Sequence, residues 1–162
     1  MSVERVFTRL SRLAVGALLA APWSSVSAQT LDKKVLSLAA SHKIAAAAQE
    51  AARAKGVEVV IVVVDDGGYI LLLERMDGAQ VASVNVGIGK ARTAAIYRRP
   101  SKVFEDQIRN GRIAALALAD STPLQGGVPI WFDGKVIGAI GVSGDSPEID
   151  EGIAIAGANA FK

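Results

Sequence analysis

Hydrophobic positions recur along the chain with two different periods, and these periods divide residues 29–162 into helices and strands. The segment 31–56, "LDKKVLSLAASHKIAAAAQEAARAKG", is rich in alanine and has apolar residues three or four positions apart. This spacing predicts one long helix that ends at Gly56. Its predicted buried stripe consists of Leu31, Val35, Leu38, His42, Ala45, Gln49 and Ala52.

Two pairs of strands are predicted by runs of residues that are either alternately or continuously apolar. The run "VEVVIVVV" at 57–64 is almost wholly apolar, which predicts a central strand covered on both faces. The turn "DDGG" at 65–68 predicts a hairpin whose second strand is "YILLLER", 69–75. A second hairpin is predicted around Asp133 and Gly134, between "VPIWF" and "KVIGAIGV".

Three further helices are predicted between and after the hairpins. The segment 81–99 has an apolar stripe made of Val81, Val84, Ile88, Ala91 and Ala95. Ser101 is predicted to cap a short helix over 102–111, and Pro147 to open the last helix. Helices that flank two hairpins indicate an α+β fold with a central antiparallel or mixed sheet.

The segment 126–144, "GGVPIWFDGKVIGAIGVSG", contains six of the chain's 16 glycines although its other residues favour strands. Glycine within a strand often marks the close approach of another backbone or of a ligand. Alternation places Ile137, Ala139, Gly141 and Ser143 on one face of the second strand. A helix, a neighbouring subunit or a flat ligand is therefore expected to lie against this segment.

Residues 1–28 have the features of a secretory signal peptide. Arg5, Arg9 and Arg12 precede an apolar run over 13–23, and the segment ends in "VSA". The apolar run is shorter than the ~20 residues that a membrane-spanning helix needs. We expect cleavage near Ala28–Gln29, with residues 29–162 as a single domain in the periplasm or outside the cell and no membrane span.

Removal of this segment changes the charge of the chain. It holds three of the 18 basic and one of the 16 acidic residues, so 15 of each remain and the expected net charge is zero. This balance argues against nucleic acid as a partner and gives little protection against self-association. The chain has no cysteine, which excludes disulfides and thiolate chemistry.

A polar row on the second predicted helix is a candidate binding site. Lys90, Thr93 and Tyr97 are spaced i, i+3 and i+7, outside the apolar stripe. The row could bind a carboxylate or coordinate iron through oxygen, or it could be an ordinary solvated face. Gly87 and Gly89 each cost ~1 kcal/mol in a helix relative to alanine, which favours a close neighbour there. The sequence "GIGKART" does not match a phosphate-binding loop.

His42 is the only histidine of the chain. It is either a residue of the helix packing face or an axial ligand of a haem iron. One histidine without cysteine nearly excludes a zinc site within one chain. Asp65 and Asp66 are interpreted as hairpin residues rather than as acid–base or metal groups. Arg75, at the end of the first hairpin, could pair with an anion.

Six segments resemble the GlcG/HbpS family of haem-binding proteins: "VVVDDGGYI", "ERMDGA", "KARTAA", "RRPSKVFED", "GGVPIWFDGKVIGAIGVSG" and "AIAGANA". They cover nearly all of residues 29–162 in order, and they also resemble the C-terminal domain of some corrinoid adenosyltransferases. The resemblance implies a profilin-like fold with a central antiparallel sheet, homo-oligomers, and haem or a related tetrapyrrole as ligand.

The resemblance also implies which residues contact haem. Thr93, in "KARTA", corresponds to the contact position, with Lys90 beside it. The position after "GG" often carries histidine, and here it is Tyr69, whose phenolate can bind ferric haem. Tyr97, His42 and Arg75 are also expected near the ligand, and Thr93 or His42 is the expected iron ligand.

These observations predict an exported, oligomeric, haem-binding or haem-responsive protein, a binding protein rather than a catalyst. An alternative is an enzyme that acts on a small carboxylate metabolite. In that alternative Arg75 and Lys90 hold the anion, and Asp65 or Tyr69 transfers a proton. A third hypothesis is a module that acts only by assembling with partners.

Overall fold

The computed structural model describes residues 31–161, and the signal peptide predicted for residues 1–28 lies outside them. The elements are α1 (Leu38–Ala54), β1 (Val60–Asp65), β2 (Ile70–Arg75), α2 (Ser83–Ile96), α3 (Lys102–Arg109), a 3₁₀ helix (Ile113–Ala117), β3 (Gly127–Phe132), β4 (Lys135–Ser143) and α4 (Pro147–Asn159). Within this part of the chain, each helix is too short or too polar to cross a membrane.

The four strands form one antiparallel sheet in the order β2-β1-β4-β3. Both predicted hairpins are present, and β1 and β4 pair with each other at the centre. The residues from Val60 to Val64 are at most 1% exposed, which confirms the prediction of a strand covered on both faces. The α+β fold with a central antiparallel sheet is therefore confirmed.

The two faces of the sheet pack against different helices. On one face α2 crosses β1, β4 and β3, and its alanines pack on Val60, Val62 and Val64. On the other face α1 covers β1 and β2 while α4 covers β4 and β3. Ile61 and Val63 belong to this second core. Successive side chains of β1 point to opposite faces of the sheet, so this one continuous apolar run contributes to both cores.

The first helix is shorter than predicted and buries a different stripe. It begins after Ser37, whose side-chain oxygen accepts a hydrogen bond from the Ala40 N–H, and a serine cap of this kind fixes a helix start. The prediction of helix over residues 31–37 was therefore wrong. The predicted stripe was also wrong in its first half, because Val35, Leu38 and His42 are exposed. The buried residues are Ser41, Ile44, Ala45, Ala48 and Ala52.

Ser101 does not cap α3 through its side chain, contrary to the sequence prediction. Its own backbone is helical and its hydroxyl makes no cap hydrogen bond. The Oγ instead donates to the Leu124 carbonyl at 2.6 Å and accepts from the Gly127 N–H at 2.8 Å. Ser101 is fully buried, so its hydroxyl joins the start of α3 to the start of β3. Val81 also differs from the prediction, since it is exposed and precedes α2.

Candidate functional site

The glycines of residues 126–144 allow α2 to lie directly on the sheet. A Cβ atom on Gly141 would lie 2.6 Å from the Ala91 nitrogen, and one on Gly127 would lie 2.8 Å from Ser101 Oγ and closer still to the Lys90 carbonyl. Side chains cannot be accommodated at such distances from backbone. Of the three expected neighbours of this segment, a helix is the one that lies against Gly127 and Gly141.

This close approach carries the Lys90 side chain into the protein interior. Its Nζ donates hydrogen bonds to the Val142 carbonyl at 3.0 Å and to Asp150 Oδ2 at 2.8 Å. The Lys90 and Asp150 side chains are 5% and 3% exposed. A Cβ atom on Gly126 would lie 2.9 Å from Lys90 Nζ, so glycine at this position leaves room for the ammonium group. The result is a buried ion pair between α2 and the first turn of α4.

Asp150 has a second hydrogen bond and a perturbed ionisation. Its Oδ1 accepts from the Asp145 N–H at 3.0 Å. Burial raises the pKa of the Asp150 carboxyl above its ordinary value, while the hydrogen bond and the positive charge of Lys90 oppose that increase. A buried carboxyl with a shifted pKa and a specific charged partner is common at functional sites.

The ion pair lies in the wall of a cavity of about 220 Å³, here named the Lys90 cavity. Its walls come from α2, α3, the end of β4 and the start of α4. The lining residues are Val86, Lys90, Glu105, Leu124, Gln125, Ser143, Asp145, Pro147 and Asp150. Pockets that enclose drug-sized ligands have volumes of roughly 300–1,000 Å³, so this cavity suits a smaller molecule.

Hydrogen bonds fix the rim of the Lys90 cavity. Glu105 Oε2 accepts from the Gln125 N–H at 2.6 Å, and Glu105 Oε1 is 2.6 Å from a guanidinium nitrogen of Arg109. The side-chain amide of Gln125 donates to Glu151 at 2.7 Å. Both side chains of this rim are thus held in place by groups from α3 and α4.

The structure does not present Lys90, Thr93 and Tyr97 as one accessible row. Thr93 is completely buried, and its hydroxyl donates to the Gly89 carbonyl and accepts from the Thr122 N–H, both at 2.7 Å. The Tyr97 hydroxyl donates to the Ala119 carbonyl at 2.6 Å. Thr93 and Tyr97 therefore hold residues 118–124 against α2, whereas Lys90 is directed to Asp150. A solvated face is excluded for Lys90 and Thr93.

The two unusual glycines of α2 also have neighbours within the protein. A Cβ atom on Gly89 would clash with the Thr122 side chain, and one on Gly87 would lie 3.3 Å from Val62. The close approach that these glycines predicted is confirmed. The neighbours are residues 118–124 and the sheet, so the glycines by themselves do not indicate a ligand.

His42, Tyr69 and Arg75 are exposed, unlike the buried Lys90 and Thr93. His42 is exposed on α1, so its interpretation as a residue of the helix packing face was wrong. Tyr69 is 71% exposed just before β2, and Arg75 is exposed at the other end of that strand. Six residues of strand separate their backbones by ~20 Å. The structure therefore places these three residues at separate positions on the surface.

The aspartates of the first hairpin have the structural role that was predicted for them. Asp65 Oδ1 accepts hydrogen bonds from the N–H groups of Gly67 and Tyr69, both at 2.9 Å, and so closes the turn. Asp66 forms an ion pair with Lys33 at 2.8 Å. Across residues 31–161, no three histidine, cysteine or acidic side chains are grouped so that they could hold a metal ion.

The sequence reasoning missed Asp150, Asp145, Ser143 and Glu105 as functional candidates. A signal existed for one of them: Asp150 shares a helical stripe with the buried residues Ile153, Ala154 and Gly157. A carboxylate on an apolar stripe requires a buried partner. The partner, Lys90, is 60 residues away in the sequence.

Comparisons with known proteins agree with this fold. The family model described as "Haem degrading protein HbpS-like" matches residues 36–159. Protein GlcG of Escherichia coli is 43% identical over 111 residues, which are 68% of this chain and 83% of that protein. The structure of a double mutant of Streptomyces reticuli HbpS has a TM-score of 0.78 and 32% identity, over 88% of this chain and 98% of that one. The PduOC:heme complex has a TM-score of 0.72 and 30% identity, over 78% and 95%.

Proposed function

This chain belongs to the HbpS-like family, and on that basis we propose that it is an exported, oligomeric protein that binds haem or a related tetrapyrrole. The observation that carries the proposal is the similarity to the PduOC:heme complex, which extends over nearly the whole of that chain. Iron in the bound haem would supply a centre for ligand binding or electron transfer. The protein would bind the macrocycle and provide an axial ligand.

The dimensions of the interior indicate where haem would be bound. The Lys90 cavity, at about 220 Å³, is too small for a tetrapyrrole with its propionates. A second cavity, between α1 and the C-terminal residues Ala160 and Phe161, is about 210 Å³. We therefore propose that haem is bound on an exposed surface or between two copies of the chain.

His42 is the side chain we assign as the iron ligand. Imidazole is the usual proximal ligand of haem iron, and His42 is exposed on α1 without a hydrogen bond to another residue among 31–161. Leu38, one helical turn earlier, is 55% exposed, and Val35 is exposed as well. An accessible imidazole beside exposed apolar side chains suits a flat, apolar ligand with a metal at its centre.

The other predicted contacts differ in how easily haem could reach them. Tyr69 and Arg75 are accessible, so the phenol could contact iron and the guanidinium could pair with a propionate. Thr93 is completely buried and could contact haem only if residues 118–124 moved away. Tyr97 is partly exposed, so haem could reach its ring, although its hydroxyl is bonded to the Ala119 carbonyl. Lys90 would have to leave Asp150.

A hemin titration followed by Soret absorbance tests this proposal. We expect a saturable shift of the Soret band with the wild type and a loss of affinity of about tenfold or more in His42→Ala. Glu50→Ala is the control, since it truncates another exposed side chain of α1, and it should bind hemin as the wild type does. A wild type that shows only the free-hemin spectrum would overturn haem binding. If Thr93→Ala weakened hemin binding and His42→Ala did not, the assignment of His42 as the iron ligand would be overturned.

Self-association is proposed from the surface of the domain. Several large apolar side chains are exposed, among them Tyr69, Ile70, Val81, Ile113, Leu116, Leu124, Trp131, Phe132 and Ile155. The edge strands β2 and β3 each have one unpaired side, which can accept another chain. Sedimentation velocity should give a mass that is a multiple of the single chain, and a monomer at all concentrations would contradict the proposal.

Export is proposed from the features of residues 1–28 alone. Cell fractionation with N-terminal sequencing of the purified protein tests it. The expected product is found outside the cytoplasm and begins at Gln29. A cytoplasmic product that retains residues 1–28 would contradict export.

A further inference from the structure

Residues 118–124 are held against α2 and the start of α3 by side-chain hydroxyls. The segment has no helix or strand of its own. Three hydroxyls connect it to those helices: Tyr97 donates to the Ala119 carbonyl at 2.6 Å, Thr93 accepts from the Thr122 N–H at 2.7 Å, and Ser101 donates to the Leu124 carbonyl at 2.6 Å. A segment attached through individually weak bonds of this kind can separate from its neighbours without unfolding of the sheet.

Ser121, in the middle of this segment, has a buried hydroxyl without a hydrogen-bond partner. Its Oγ is the one such side-chain atom among residues 31–161. Buried polar atoms are nearly always paired, because a group removed from water without a new hydrogen bond raises the free energy of the folded state. The position of residues 118–124 against α2 therefore has a cost, and opening of the segment would remove this cost by hydrating the hydroxyl.

Asp120 adds a backbone cost to the same position. Its φ angle is 54°, in the left-handed region that residues with a Cβ atom avoid. Asp133 has a φ angle of 48°, but there it forms a two-residue hairpin turn with Gly134, and such turns require positive φ. Asp120 belongs to no hairpin. Backbone conformations of this kind persist where the surrounding structure imposes them, and they are frequent in segments that switch between two states.

We propose that residues 118–124 form a switch that opens away from α2 while the sheet stays folded. In the closed position the segment covers Thr93, which is completely buried and bonded to Thr122. Opening breaks the bonds to the three hydroxyls, but it also hydrates Ser121 and releases the backbone of Asp120, so the two sets of terms largely offset each other. The segment thereby controls whether ligands can reach this face of α2. The inference goes beyond the proposed function and does not depend on haem, because every group in it belongs to the chain itself.

Amide hydrogen exchange of the purified protein in low concentrations of urea measures the opening. The Thr122 amide reports on the segment, since its N–H is bonded to Thr93, and the Val63 amide, in the central strand β1, reports on unfolding of the sheet. We expect the protection of Thr122 from exchange to be at least about tenfold lower than that of Val63 and to depend less on urea. If both amides had the same protection and the same urea dependence, the segment would open only when the whole domain unfolds, and the proposal would be overturned.

Two variants test whether Ser121 and Asp120 favour opening. Ser121→Ala removes the unpaired hydroxyl and should raise the protection of the Thr122 amide about fivefold or more. Asp120→Gly allows the same φ angle without a Cβ atom and should raise this protection about twofold or more. Asp133→Gly is the matched control, because it is the same substitution at a similar φ angle in the β3–β4 turn, and it should leave the protection of Thr122 unchanged.

If neither Ser121→Ala nor Asp120→Gly raised the protection of the Thr122 amide, the two residues would not favour opening and the proposal would be overturned. Both variants remove an unfavourable feature of the folded state, so neither should prevent folding. Hemin is absent from these experiments, and their outcome is therefore independent of the hemin titration.

Discussion

Lys90 Nζ lies 2.8 Å from Asp150 Oδ2, although 60 residues separate the two in the sequence. Lys90 belongs to α2 and Asp150 to α4, and these helices cover opposite faces of the sheet. The pair therefore joins the two layers of helices around the end of β4, where Lys90 also binds the Val142 carbonyl. Removing either partner would leave a charge buried without compensation.

Lys90→Met should destabilise the protein by about 3–5 kcal/mol, because it leaves the Asp150 carboxylate buried and unpaired. Urea denaturation measures the change in the free energy of unfolding. The double variant Lys90→Met/Asp150→Leu should recover most of the loss, since it removes both charges. Lys102→Met is the control, because Lys102 forms an exposed pair with Asp106, and its effect should be small. A Lys90→Met effect no larger than that of the control would contradict the prediction.

Asp150 should make stability depend on pH in the acid range. Its pKa is raised in the folded protein, chiefly by burial, so the folded state binds the proton more tightly than the unfolded state. The contribution of Asp150 to the free energy of unfolding should therefore fall as pH rises from about 4, the ordinary pKa of aspartate, through the raised value. Urea denaturation of wild type and Asp150→Asn across this range gives the contribution as a difference. If the difference in the free energy of unfolding between wild type and Asp150→Asn increased with pH, the effect of Lys90 on the pKa of Asp150 would outweigh that of burial.

Gly141→Ala should cost about 1–3 kcal/mol or more, since its Cβ atom would meet the backbone of α2 near Ala91. Gly152→Ala is the matched control within α4, where a Cβ atom would meet nothing within 4 Å. This control should stabilise the protein by about 0.5–1 kcal/mol, the helix preference of alanine over glycine. Thermal and urea unfolding of both variants test the prediction. A Gly141→Ala variant as stable as the wild type would mean that α2 can move away from β4 at little cost.

Thr93→Val should loosen residues 118–124. The substitution keeps the shape of the side chain but leaves the Thr122 N–H without the Thr93 hydroxyl, at a cost of about 1–3 kcal/mol. Amide hydrogen exchange at Thr122 should become faster in Thr93→Val. In Thr93→Ser, which keeps the hydroxyl, the Thr122 amide should exchange at nearly the wild-type rate. If the Thr122 amide were equally protected from exchange in Thr93→Val and Thr93→Ser, the role of this hydrogen bond would be contradicted. The same experiment with hemin shows whether the ligand opens this segment.

Sequence patterns predicted the sheet better than they predicted the site. The continuous apolar run of β1 and the two glycine-containing turns define the strands locally, because alternation and turn chemistry act between near neighbours. The start of α1 was misplaced, since one hydrogen bond from the Ala40 N–H to the Ser37 side-chain oxygen decides it and the apolar spacing continues upstream. Ser101 was misassigned because its hydroxyl bonds to residues more than 20 positions away.

The sequence by itself determined the α+β architecture, the central position of β1 and the presence of a close neighbour at the glycines of residues 126–144. Each of these depends on local periodicity or on the absence of a side chain. Only the tertiary structure decided that the neighbour is α2, that Lys90 is paired with Asp150, and that Thr93 is covered while His42 is exposed. These outcomes depend on how helices from distant parts of the chain pack across the sheet, and burial and charge pairing are properties of that packing.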